Sequence, residues 1–68
     1  MGVEEAIALV AEEAWRQGFQ VRQTRTAMWH FRKEDRNWFF TVRTAGDLVT
    51  AVAVLTEAGF DAAPLQGS

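Results

Sequence analysis

The chain has no cysteine and no tyrosine, a single histidine (His30), a single proline (Pro64) and a single serine at its last position. Without cysteine there are no disulfide staples, no thiolate-held zinc and no thiol nucleophile, which fits a cytoplasmic address. One histidine is too few for a structural zinc site, so no metal and no cofactor are expected. No apolar run approaches the ~18 residues of a membrane span. The acidic start Met1-Gly2-Val3-Glu4-Glu5 has no signal-peptide pattern, and Ala6 stands where a myristoylation motif needs Ser or Thr. Lysine and arginine are also missing from most of the chain, since none lies outside Arg16–Arg43.

That window is where the composition concentrates. Between Ala14 and Gly46 lie all seven basic residues against Glu34 and Asp35, a net of +5, together with all three tryptophans and four of the five phenylalanines. The remaining segments carry seven acidic residues and no basic one. A total charge of −2 thus conceals a basic, aromatic centre between acidic flanks. A local patch, not the total, sets the field a ligand meets, so a polyanionic partner is the first class to consider.

With 68 residues the chain is one small domain whose core must come from Ala, Val, Leu and aromatic side chains, or in part from a homodimer. Val3, Ile7, Val10, Ala11 and Ala14 recur on one face of a helix from Val3 to about Gln17, and Gly18 is its stop signal. Glu12 and Arg16 add an i,i+4 pair worth about 0.3 kcal/mol. From Phe19 to Arg43 the apolar period becomes two, the mark of strands. Three strands are predicted: one from Phe19, one over Ala27–Arg32 and one over Trp38–Arg43. The first break falls near Gln23–Arg25, and Lys33–Asn37 forms a polar hairpin loop. Thr44 with Asp47 opens a second helix that ends at Ala58 before Gly59. Its apolar face is Leu48, Ala51, Val52, Leu55 and Ala58, widened by Val49 and Ala53. The Gly-Phe steps Gly18-Phe19 and Gly59-Phe60 read as shared helix-stop chemistry. The expected fold is α+β in the order α-β-β-β-α, a three-stranded antiparallel sheet with both helices on one face. Residues 1–65 form this domain, and Gln66-Gly67-Ser68 is expected to be a disordered tail.

Alternation assigns Phe19, Val21, Ala27, Trp29, Phe31, Trp38, Phe40 and Val42 to the covered face. It leaves Gln20, Arg22, Met28, His30, Arg32, Phe39, Thr41 and Arg43 on the open one. Arg22, Arg32 and Arg43 with Met28 and Phe39 match what binds nucleic acid across a sheet: guanidinium groups for phosphates and an aromatic for an unpaired base. The same residues can equally be a solvated face, or an apolar pair for association. His30 is the candidate catalytic residue. An imidazole can act as base and acid in metal-free RNA cleavage through the ribose 2′-OH, with Arg32 and Arg43 meeting the developing charge. Glu34 and Asp35, adjacent in a loop, do not suit a two-metal site.

The run Gly18-Phe19-Gln20-Val21-Arg22-Gln23-Thr24-Arg25-Thr26-Ala27-Met28-Trp29-His30-Phe31-Arg32, the polar hairpin, Phe39-Phe40-Thr41-Val42 and the helix end Leu55-Thr56-Glu57-Ala58-Gly59-Phe60 together resemble the HicA-type toxins. The resemblance runs from about Ile7 to Phe60 and lies mostly in layout. It implies a double-stranded-RNA-binding-like fold, cleavage of mRNA by a histidine on the second strand, and a HicB-type antitoxin as partner. The family's Gly-Ser-His positions are Thr26, Ala27 and Met28 here, and His30 stands two residues further along the same face, ~7 Å away. The resemblance therefore implies either a relocated histidine or a relative that binds RNA without cutting it. A protein-interaction module, docking through the sheet face or the Val49–Ala53 flank, is the alternative expectation.

Overall fold

The computed structural model of the protein describes residues 2–66. Helix α1 (Val3–Arg16) buries Ile7, Val10, Ala11 and Ala14, four members of the predicted stripe. Strands β1 (Gln20–Arg25), β2 (Met28–Lys33) and β3 (Arg36–Thr41) follow, then α2 (Ala45–Glu57) and the single-turn α3 (Ala63–Gln66). The sheet is antiparallel throughout in the order β1-β2-β3, and the helices pack against one of its faces. The α+β fold read from the sequence is thus observed, with α3 as an addition. Gln66, expected in a disordered tail, closes α3; Gly67 and Ser68 lie outside the described residues.

Both long helices end in the same way. Gly18 and Gly59 take φ of 100° and 105°, where a side chain would be strained. In α1 the Gly18 and Phe19 amides donate to Trp15 and Ala14 carbonyls, and in α2 those of Gly59 and Phe60 donate to Thr56 and Leu55. This is the Schellman pattern, in which the residue after glycine turns back onto the last helical turn. The consequence is tertiary. Phe19 and Phe60, both buried, meet edge-to-face at 6.2 Å, so the two helix stops pack on each other. At the other end of α2, Thr44 Oγ1 accepts from the Asp47 amide at 3.1 Å, and Asp47 Oδ2 accepts from Thr44 and Arg43 amides at 3.2 and 3.0 Å. The Arg43 amide first, then that of Thr44, holds the Asp47 carboxyl below its ordinary range.

The core unites Ile7, Val10, Ala11, Ala14, Phe19, Phe31, Val42, Ala51, Leu55 and Phe60, with Trp29, Trp38 and Phe40 half-buried around it. A polar clamp closes its lower edge. The Gln17 side-chain amide donates to Asp61 O at 2.7 Å, and its Oε1 accepts from Asp61 N at 2.8 Å. The same Nε2 also donates to Glu13, an acid only 9% exposed that Arg16 contacts from its other side. Asp61 Oδ1 in turn accepts from Ala63 N and starts α3, whose Leu65 packs on the core.

Two predicted breaks are placed differently. The β1–β2 turn is Thr26-Ala27, not Gln23–Arg25; the latter stretch holds a bulge that sets Arg25 opposite Met28. Ala27 sits there at φ 66° without any glycine to announce it, and its carbonyl accepts from Val42 N at 2.7 Å. The expected five-residue loop Lys33–Asn37 shrinks to Glu34-Asp35, because Lys33 pairs with Arg36 and Arg32 with Asn37. Ala27 belongs to the turn rather than to β2, and Val42 and Arg43 lie beyond β3.

Candidate nucleic-acid interface

Strand alternation holds through most of the sheet, but β1 loses it beyond Arg22, and His30, predicted on the open face, is half-buried. Phe19, Phe31 and Val42 are buried and Val21, Trp29, Trp38 and Phe40 half-buried, whereas Gln20, Arg22, Met28, Arg32, Phe39, Thr41 and Arg43 are exposed. The register arranges the open side in three rows across the strands: Gln20–Arg32–Asn37, Arg22–His30–Phe39, and Arg25–Met28–Thr41. Residues in one row lie side by side on one face, so five of the six predicted site residues are neighbours. Arg43 is the exception. It stands past the end of β3, its backbone amide bound to Asp47 and its positive charge close to that carboxylate.

The centre of the middle row is ordered. His30 and Phe39 stack with ring centroids 4.3 Å apart and planes 4° from parallel, and Phe39 is still 72% exposed. His30 Nε2 lies 2.8 Å from Asn37 Oδ1. In the neutral ring with its hydrogen on Nε2, that nitrogen donates to the Asn37 carbonyl oxygen and Nδ1 is the acceptor. Arg32 Nε donates to Glu34 O at 3.1 Å, which fixes the guanidinium beside the turn. The result is a face-to-face aromatic pair that can serve as a platform, fixed by stacking and a hydrogen bond, with cations on two sides.

The other cations are committed elsewhere. Arg16 is paired with Glu12 and Glu13, each at 3.1 Å. Lys33 Nζ lies 4.9 Å from the Phe19 ring centroid, and Arg36 lies 4.9 Å from that of Trp38, both over rings of the covered side. Only Arg22, Arg25 and Arg32 of the basic segment therefore serve the open rows. The acids Glu4, Glu5, Glu12, Asp47 and Glu57 sit on the helices, and Glu34 and Asp35 in the β2–β3 turn.

Sequence reasoning missed two contributors. Arg25 joins the Met28 row only because the bulge shifts the register, a feature that alternation cannot show. Trp15 is 63% exposed and lines a groove of about 380 Å³ with Gln20, Val21, Arg22, His30 and Arg32. Its place at the edge of the α1 stripe was the available signal. Among the described residues no three of His, Asp and Glu converge as metal ligands, and no helix is long and apolar enough to cross a membrane. Comparison with protein-family models, curated proteins and solved structures gave no match.

Proposed function

We propose that the protein is a small cytoplasmic RNA-binding domain that takes its ligand on the open face of the sheet. The observation that carries this reading is the His30–Phe39 stack, flanked in its own row by Arg22 and in the next by Arg32. An exposed aromatic face accepts any unpaired base, and guanidinium groups beside it pair with the linking phosphates. The segregation of acids onto the helices and the turn keeps most repulsive charge off the platform. The resemblance to HicA-type toxins points to the same ligand and to a HicB-like antitoxin as protein partner. Within that reading, His30 Nδ1 is the atom available as a base for 2′-OH activation. The absence of histidine at position 28 leaves binding without cleavage as an equal form of the function.

Titration of a labelled RNA hairpin with an unpaired loop, at low and moderate salt, tests the reading. Binding should weaken steeply with salt, and Arg22→Glu/Arg32→Glu should abolish it at moderate salt. Each phosphate-pairing cation that is removed lowers the salt slope by about one. Arg43→Glu should have a smaller effect, since Asp47 already offsets that charge. No binding by the wild type at low salt would refute the proposal. Cleavage that disappears in His30→Ala would add catalysis to it; cleavage that persists would remove His30 from that role.

A second reading rests on the outer face of α2. Val49 is 67% exposed there, with Val54 and, on α1, Leu9 also exposed. A melting temperature that rises with protein concentration and ignores RNA would favour a protein-interaction module or homodimer over an RNA-binding domain.

A further inference from the structure

Trp15 stands outside the core and is 63% exposed. It occupies the last turn of α1, where its neighbour Arg16 is held by Glu12 and Glu13. The indole lines the groove together with Arg22, His30 and Arg32, and among the described residues no acidic side chain lines it. At about 380 Å³ the groove falls in the range of small-molecule clefts, roughly 300–1,000 Å³. An indole that lines a groove with two guanidinium groups and an imidazole provides what one nucleotide needs: a surface for its base and donors for its phosphate.

The placement of this groove adds a direction to the platform. Arg22, His30 and Phe39 form one row across β1, β2 and β3, and adjacent strands are about 4.8 Å apart. Phe39 therefore marks the β3 side of the face, and the groove opens at the β1 edge, with Arg22 and Arg32 lining it. Building on the RNA reading, we infer that the ligand is an unpaired RNA strand that crosses the sheet perpendicular to the β-strands. One base stacks on Phe39, a phosphate meets Arg22 and Arg32, and a second base enters the β1-edge groove against Trp15. A duplex keeps its bases stacked on one another and offers a free face to neither aromatic.

The test uses a labelled unpaired RNA of about ten nucleotides, within the usual span of single-strand sites, and a blunt duplex of equal length. Wild-type protein should bind the single strand more tightly than the duplex. Trp15→Ala should weaken single-strand binding about 5- to 100-fold, the loss expected for one stacked base, and leave duplex binding unchanged. Trp15→Phe should recover most of the affinity. Because Trp15 is exposed, an unchanged melting temperature in Trp15→Ala will separate this effect from misfolding. If Phe39→Ala weakens binding while Trp15→Ala does not, the groove is no subsite and the RNA reading stands without it. A preference for the duplex would overturn the inference in the same way. If the wild type binds neither RNA, the proposed function fails and the inference with it.

Discussion

The two faces of the sheet are made by alternate residues of the same strands, yet they treat charge in opposite ways. On the covered side Lys33 and Arg36 lie over the rings of Phe19 and Trp38, and behind them Arg16 is tied to Glu12 and Glu13. On the open side, among the described residues, Arg22 and Arg25 make no ion pair, and Arg32 spends one donor on the Glu34 carbonyl. A basic stretch of sequence thus overstates the charge a ligand meets. A cation over a buried ring covers apolar surface with its stem and serves the fold; a cation on the open rows has water as its alternative partner and can exchange it for phosphate.

The largest test of this contrast compares two phenylalanines one strand apart. Phe31 is fully buried on β2, so Phe31→Ala should cost about 3–5 kcal/mol, much of the stability of a domain this size. Phe39→Ala should cost under about 1 kcal/mol, the scale of an exposed cross-strand pair. Urea unfolding of both variants checks the ratio, and equal losses would show that the platform belongs to the core. Next is the clamp on the covered side. Gln17→Ala removes two hydrogen bonds to Asp61 and one to Glu13, and should cost about 1–3 kcal/mol while leaving RNA affinity unchanged.

Smaller effects come from the turns and caps. Glu34 adopts φ 58°, a conformation open to glycine without penalty, so Glu34→Gly should gain about 0.5–1 kcal/mol. A thermal melt measures it, and a loss would mean that the Glu34 side chain stabilises the turn. The smallest is the pH dependence of the α2 cap. Hydrogen bonds from the Arg43 and Thr44 amides lower the Asp47 pKa from its ordinary 3.8. For a depressed carboxyl, the stabilisation is complete above the unfolded value and fades as pH falls through the lower folded one. Asp47→Asn should therefore lessen the acid sensitivity of unfolding below about pH 4; an unchanged acid limb would remove the cap from that role.

Much of the fold is legible in the sequence because it is local. The i, i+3, i+4 stripe of α1, the period-two strands, the Gly-Phe stops and the Thr44–Asp47 box each depend on residues a few positions apart, and each is observed. The β1–β2 turn is hidden because Ala27 accepts a left-handed φ that its side chain does not advertise. The β2–β3 loop reads as too long because Lys33 and Arg36 look like loop residues until they are paired. Parity groups Arg43 with the open face, but β3 ends before it, and α2 begins by capturing its amide with Asp47.

Within an unbroken strand, which residues share a face follows from the order of amino acids, since the pleat fixes alternation once a hydrophobic set must be buried. The stops of the two long helices follow from it as well. Three-dimensional packing was needed to settle which cations the open face keeps, that a bulge brings Arg25 to Met28, and that Trp15 lines one groove with Arg22. The Gln17–Asp61 clamp, spanning 44 residues, belongs with these. Such contacts join segments distant along the chain, and their partners are chosen by packing and register, which no local period encodes.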